Sequence, residues 1–380
     1  MSLGFIVLGS AALLSLWINV WQWLASRAFP LHTQSGEVFG SPPSLTLLKP
    51  LKGCDLYTEE CLRSWLDQRY DGRWQLRFGV YDPADPVVAL VERLIREYPT
   101  VDARLVICQP LLGANAKVST LTHLQKEMQG DIVIVSDADV VVDSGFLTSV
   151  VQPLKSSRVG LVNCFYMLGK CSSAAMRWEA VAINSDFWSQ VLQGQTLKPL
   201  DFALGAVMAV RRSALEEMGG FTVLLNHLAD DYQLGHQIAA QGLEIRLSPQ
   251  VVECRGATMI WSDVWNHQLR WARTIRVCQP VPWFFSILSN VTLWPICFAM
   301  LCPGPFSGLV LLTCLGARRF FAHDQQLRLT RSADHTRWLW LVPVKDLLHT
   351  ALWAMSFFGN RVHWRGRDYR VNTGGLLTPL

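Results

Sequence analysis

Hydrophobic and polar positions divide the 380-residue chain into three stretches. In the first, residues 3 to 25 (LGFIVLGSAALLSLWINVWQWLA) run without a charge for about the 20 residues that a bilayer requires. The run is long for a signal peptide, tryptophans flank it, and no small-residue cleavage site follows. It therefore predicts an uncleaved anchor over residues 1–27. In the second stretch, from Ser44 to Val252, short apolar runs alternate with amphipathic ones. SLTLLKP, WQLRFGVYD, ARLVICQP and DIVIVSD predict strands, and YTEECLRSWLDQ, PVVALVERLIREY and KVSTLTHLQKEM predict the helices between them. This alternation predicts βαβ units and an α/β domain with a mostly parallel sheet over residues 44–255.

The third stretch is apolar again. VPWFFSILSNVTLWPICFAML and FSGLVLLTCLGARRFF predict a hairpin broken at Pro303 and Pro305. WLWLVPVKDLLHTALWAMSFF carries Lys345, Asp346 and His349, which are costly at mid-bilayer, so this segment is expected to lie at the interface, re-enter, or pack on the hairpin. Membrane helices are thus expected over residues 281–358, after an amphipathic interfacial helix over residues 256–280. A basic tail, residues 359–380, carries Arg361, Arg365, Arg367 and Arg370. With Arg27 it favours a cytoplasmic face for tail and α/β domain alike.

Composition supports a membrane association. Half the residues are hydrophobic, 16 are tryptophan and only 17% are charged, against about 25% in soluble domains. The net charge of +4 comes from scattered basic residues, so no nucleic-acid-binding stripe is present. Ten cysteines show neither CxxC nor zinc spacing and are expected as reduced, mostly buried thiols.

The chemistry concentrates where strands end. In DIVIVSDADVVVDSGF a buried strand delivers Asp137 and Asp139 with one residue between them. Adjacent carboxylates repel, and a cation between them removes the conflict. Such a pair suits Mg²⁺ or Mn²⁺ bridging a diphosphate, because hard cations take oxygen ligands. The same motif also fits a haloacid-dehalogenase-type phosphatase with Asp137 as nucleophile, and the motif alone does not separate the two. Position argues for the first reading: three βα units precede Asp137, whereas the phosphatase motif normally opens its domain.

Ligands of such sheets lie beyond the carboxyl ends of the strands. There VYDPADP offers Asp82 and Asp85 to a nucleotide's base or ribose, although Asp85 also suits a cap on the helix starting near Val87. GANAKV places Asn115 and Lys117 at a helix start, ready for phosphate oxygens or simply for solvent. LADDYQLGHQIAAQG starts a helix with Asp230 and Asp231. The helix dipole accounts for the first and leaves the second as a general base. WNHQLRWARTIR sets Arg270, Trp271, Arg273 and Arg276 on one helix. Anionic headgroups would bind such a helix, but a guanidinium also suits a diphosphate and an indole a sugar face.

Together these residues resemble the ceramide glucosyltransferase family, membrane-bound enzymes with a GT-A fold. The likeness runs from TLLKPLKG (46–53) to HQLRWARTIR, with apolar flanks at both ends. It implies Asp85 as the first aspartate motif, Asp137 as the metal-associated one and Asp231 as the catalytic base. The family's Gln/Arg-x-x-Arg-Trp motif aligns with His267-Gln268-Leu269-Arg270-Trp271. His267 departs from the usual glutamine or arginine, with Gln268 adjacent. DFALGAVMAVRR and RTIR look closer to bacterial relatives, including those that act on hopanoids with an N-acetylglucosamine donor.

The resemblance implies an inverting, multi-pass enzyme of a bacterial inner membrane. It would move glucose or N-acetylglucosamine from a UDP-sugar to a lipid hydroxyl with Mn²⁺ or Mg²⁺. Asp82, Asp85, Asn115, Lys117, Asp137, Asp139, Gln268, Arg270 and Trp271 would hold the donor. A processive polysaccharide synthase shares the aspartates but usually needs more channel-forming helices.

Overall fold

A computed structural model describes residues 2–33, 41–364 and 367–380; Arg365 of the tail lies outside them. Helix α1, Leu3–Ala28, precedes the sheet. The first four strands are β1 (Leu45–Leu51), β2 (Trp74–Val80), β3 (Ala103–Ile107) and β4 (Ile132–Ser136). Between them lie α2 (Thr58–Leu66), α3 (Val87–Glu97) and α4 (Ala116–Leu124), so every element expected there is present. The sheet continues with β5 (Val140–Val141), β6 (Val159–Leu168), β7 (Val207–Arg211) and β8 (Glu244–Cys254). Its helices are α5 (Phe146–Val151), α6 (Ala174–Val181), α7 (Trp188–Leu197), α8 (Arg212–Glu217) and α9 (Asp230–Ala240).

The eight strands run in the order β3-β2-β1-β4-β7-β6-β8-β5. β3, β2, β1 and β4 are mutually parallel, and β7 runs antiparallel to both β4 and β6. The strands read as continuous apolar runs because helices cover both faces of the sheet. Leu45, Leu47, Ile132 and Ile134 pack with Leu62, Trp65, Val91 and Leu94 on one side. Their neighbours Leu48, Val133 and Val135 pack with Leu121, Leu124, Trp188 and Leu234 on the other. Strand alternation thus splits one run of residues between two cores.

The remaining helices are α10 (Trp261–Cys278), α11 (Pro280–Phe285), α12 (Leu293–Leu301), α13 (Pro305–Thr330) and α14 (Val342–Ser356). Among the described residues, α1 is the one helix long and apolar enough to cross a membrane. Pro280–Ser289 and Leu293–Leu301 reach that measure only as a pair, bent by 53°. α13 is apolar in its first half and then carries Arg318, Arg319, Asp324 and Arg328. At about 1.5 Å per residue the 15 residues of α14 fall short of a bilayer.

Two features were not anticipated. A π-helical turn, Ala182–Phe187, joins α6 to α7, a distortion common near functional sites. It presents Asp186 to Arg318 at 2.8 Å and also to Lys345; both cations pair with Asp346 too, Arg318 at 3.0 Å. Second, the basic tail forms a three-stranded antiparallel sheet, β9 (Arg361–Trp364), β10 (Arg367–Val371) and β11 (Leu377–Pro379). It folds back on the loop before α9: Leu228 donates to the Gly375 carbonyl at 2.9 Å, and the Gln233 amide to Gly374 at 2.8 Å. All ten cysteines are free thiols, Cys54 alone exposed.

Candidate active site

β4 ends at Ser136, and the next two peptides are held from both neighbouring strands. The Asp137 N–H donates to the Ala206 carbonyl at 3.1 Å, just before β7. From β1, Lys49 donates to the Asp137 carbonyl at 2.6 Å and to Ser136 Oγ at 3.2 Å. Lys49 is fully buried, with its ammonium 4.9 Å from the Trp65 ring centroid. Burial brings its pKa down to about 8. The Asp137 backbone is thereby fixed at the carboxyl edge of the sheet.

Lys117, in the first turn of α4, spans the acids. Its Nζ lies 2.7 Å from Asp137 Oδ1 and 3.2 Å from Asp230 Oδ2. Burial works against its charge, but Asp137 and Asp230, with Asp231 beyond, outweigh burial and hold the ammonium above its usual pKa. Asn115 caps α4 by accepting from the Val118 N–H at 3.1 Å, and it donates to the His227 carbonyl at 2.8 Å and to Asp230 at 3.4 Å. Asp230 is thus occupied.

Asp231 is not. Among the described residues its Oδ1 accepts from the adjoining Tyr232 N–H at 2.8 Å. Its Oδ2 lies over Gly205, where a Cβ would stand 2.7 Å away. Since Ala206 holds Asp137 and Gly205 makes room for Asp231, two carboxylates almost 100 positions apart meet at one turn. Burial, then the charge of Asp230, raises the Asp231 carboxyl to about 6, with Lys117 opposing. Asp139 reaches about 6 as well, through burial and then the charge of Asp137. It remains accessible at the cleft mouth, with water on one side and protein on the other.

The other expected donor residues sit further out. Asp85 follows β2, two strands from β4, or about 10 Å along the same edge. Its carboxylate accepts from the Gly53 N–H at 2.9 and 3.0 Å and from the Val87 N–H at 2.9 Å, so it ties the end of β1 to the start of α3. Asp82 is exposed and accepts from the Ala84 N–H at 2.9 Å.

On α10 the Gln268 amide is turned inward and donates to Glu179 at 2.7 Å, where His267 Nδ1 also bonds. Glu179 Oε2 is buried without a hydrogen-bond partner among the described residues. Trp271 packs on His267 (centroids 4.6 Å apart) and on Phe187 (6.5 Å), and Phe187 packs on Tyr166 (5.5 Å). The Tyr166 phenol is driven well above its usual pKa by burial and then by its acidic neighbours Cys254, Asp231, Glu179 and Asp137. One tyrosine therefore lies within electrostatic reach of Asp137, Asp231 and the residue holding the α10 motif. Arg270 is half-buried one residue before Trp271.

Sequence reasoning missed Lys49, Gly205 and Glu179. A lysine inside an apolar strand and an acid inside an apolar helical run were visible signals for two of them. Gly205 gave none, because its reason is a carboxylate from a distant helix.

The model of glycosyl transferase family 21 matches residues 7–377. The chain belongs to that family. It is a glycosyltransferase, and the phosphatase alternative for Asp137 is overturned. Ceramide glucosyltransferase 3 of Caenorhabditis elegans is 23% identical over 373 residues, covering 94% of this chain and 78% of the nematode protein. A ceramide glucosyltransferase of Komagataella phaffii is 36% identical over 123 residues, 30% of this chain and 24% of the fungal one. Among solved structures, a mannosyltransferase from Pyrobaculum calidifontis in complex with GDP-Man and Mn²⁺ is similar in fold. Its TM-score is 0.50 at 19% identity, covering 91% of this chain and 98% of that one. The fold is GT-A.

Proposed function

We propose that this family 21 glycosyltransferase moves a sugar from a UDP-sugar to the hydroxyl of a membrane lipid, with inversion, at the cytoplasmic face of a bacterial inner membrane. The observation that carries this reading is the meeting of Asp137 and Asp231 at the Gly205–Ala206 turn, on the ligand-binding edge of the sheet. Asp231 takes the proton of the acceptor hydroxyl as its oxygen bonds to the anomeric carbon and the bond to the UDP oxygen breaks. A carboxyl at about 6 is mostly ionised at neutral pH, and it is a stronger base than an ordinary aspartate. Asp230 raises its basicity, and Lys117 keeps it ionised.

The acids also fit a divalent cation. Asp139 is raised by burial and then by the charge of Asp137, with Lys49 and Lys117 opposing, so a further cation would be welcome beside the pair. Asp137 and Asp139 offer oxygen donors, and no third histidine, cysteine or acid completes a shell among the described residues. The remaining ligands would be diphosphate oxygens and water, as is usual for Mg²⁺ and equally possible for Mn²⁺. Such an ion would neutralise charge on the departing diphosphate.

Asp85 and Asp82, after β2 on the same sheet edge, would hold the nucleoside. Arg270 and Trp271 would close the donor from α10, with Gln268 and Asn115 acting as positioning residues through Glu179 and Asp230.

The test incubates detergent-solubilised protein with labelled UDP-glucose or UDP-N-acetylglucosamine and a lipid extract, with mass spectrometry of the organic phase. Labelled glycolipid is expected, and Asp231→Asn should lose about 10²–10⁴-fold in turnover while binding donor normally. Label in polymer rather than lipid, or an active Asp231→Asn enzyme, overturns the proposal.

A further inference from the structure

α9 carries the proposed base in its first turn, yet its N-cap is Ala229, and among the described residues no side chain caps it there. A serine, threonine, aspartate or asparagine at that position would hold the helix start from within. Here the hold comes from outside. Residues 225–228, just before the helix, run between the start of α4 and the end of the chain.

On the α4 side the Asn115 N–H donates to the Leu225 carbonyl at 2.8 Å and the Ala114 N–H to Asn226 Oδ1 at 3.0 Å. The Asn115 amide adds its bond to the His227 carbonyl at 2.8 Å. On the other side the Leu377 N–H donates to the Asn226 carbonyl at 2.7 Å and the Leu228 N–H to the Gly375 carbonyl at 2.9 Å, bracketing an antiparallel bridge between His227 and Leu376. The Tyr369 hydroxyl closes the ribbon by donating to the Ala114 carbonyl at 3.2 Å.

The turn that reaches α9 requires glycine. Gly374 and Gly375 stand at φ 71° and 81°, where a side chain is strained. Their successive carbonyls serve the helix: that of Gly375 takes the Leu228 N–H, and that of Gly374 takes the Gln233 amide at 2.8 Å. Gln233 follows Asp231 by two residues.

The same tail holds α10. Arg273, two residues after Trp271, donates to the Phe358 carbonyl at 3.1 Å and to the Arg361 carbonyl, and Arg276 donates to Asn360 Oδ1. Two basic residues that would suit anionic headgroups are therefore engaged inside the protein. Val277 of α10 packs against a buried cluster of Leu228, Val362, Tyr369, Val371 and Leu377. The helix of the base and the helix of the Arg270–Trp271 motif are thus joined through the chain's last strands.

We infer that the C-terminal sheet is a positioning element of the active site: its glycine turn sets where α9 begins, and so where the Asp231 carboxylate stands relative to α10. The inference rests on Asp231 as the base and adds what holds that base in place.

Gly375→Val tests it, because a β-branched residue in the left-handed region is a backbone outlier and the turn must withdraw from Leu228. In the glycolipid assay kcat should fall about 100-fold, the cost of a displacement near 1 Å, with donor KM unchanged. Gln233→Leu removes one hydrogen bond at nearly constant volume. It should lower kcat several-fold, and it decides the case if the valine variant does not fold. The decisive readout is the same pair of substitutions in an Asp231→Asn background. Groups that act as a unit are not additive, so with the base already gone each should cost less than about 3-fold. A tail that is architecture alone would cost as much in both backgrounds, and that equality overturns this inference by itself. So does wild-type kcat in the folded variants, or a loss confined to donor KM. An Asp231→Asn enzyme with wild-type turnover overturns the functional reading and this one with it.

Discussion

Two clusters of acids and bases lie in this chain, and they are built on opposite terms. In the helical layer Asp186 and Asp346 face Arg318 and Lys345, two charges against two, all buried. At the sheet edge, among the described residues, Asp137, Asp139, Asp230 and Asp231 gather around Lys49 and Lys117. The first set is complete within the protein, so each charge has its counter-charge and nothing is left to bind. The second, as named, sets four acids against two bases, and burial together with the neighbouring carboxylates raises two of its carboxyls to about 6. Balance marks architecture, and imbalance marks a place for a cation, a proton or a substrate.

The sharpest way to break the comparison is to unbalance the complete set. Arg318→Met leaves Asp186 and Asp346 with one cation between them. Removing one partner of a buried pair costs roughly 3–5 kcal/mol, so chemical denaturation should show a loss of that order. A loss below about 1 kcal/mol, the range of exposed pairs, would mean that the cluster is wetter than its burial implies.

The same comparison explains what could be read in advance. β1 to β4 and their helices followed from local period, and Asp137 and Asp231 from position at a strand end and a helix start. Lys345 and Asp346 were recognised as costly in an apolar segment, but their solution was invisible. Asp186 lies 132 positions from Arg318 and 159 from Lys345, and pairing over such spans leaves no local pattern. The tail was read only as basic. Its alternation of buried Val362, Tyr369 and Val371 with exposed arginines is strand-like, and the charge count hid that period. Asp85, Asn115 and Gln268 were expected to hold the donor, and the structure adds that each also closes a hydrogen bond inside the protein. Residue type predicts that a group will bond, but the backbone partners found here come from distant segments and leave no local signal.

The open cluster is tested by geometry first. Gly205→Ala places a methyl 2.7 Å from Asp231 Oδ2, inside contact distance, so the carboxylate must move. A displacement near 1 Å costs about 100-fold in turnover, and donor affinity should hold because Asp231 does not bind the nucleotide. Wild-type turnover in this variant would show that the base has room to spare, and that the turn is not what positions it.

The smallest effect is the most direct measure of imbalance. Asp139 and Asp231 are both raised to about 6, and the proposed reaction needs both as carboxylates in the free enzyme. The kcat/KM profile should therefore fall below about pH 6 with a slope approaching two, as macroscopic values of an interacting set. The sign for stability follows from the same shift. A carboxyl raised on folding stabilises the protein below its unfolded pKa, and that contribution is lost as pH rises through about 6. Lys117 lowers both carboxyls, so Lys117→Gln should carry the acid limb upward by about one unit. In the balanced cluster no group is available to titrate in this way. If the limb stays fixed when Lys117 is neutralised, the ammonium is not the counter-charge of the cleft, and the contrast between the two clusters fails at the residue on which it depends most.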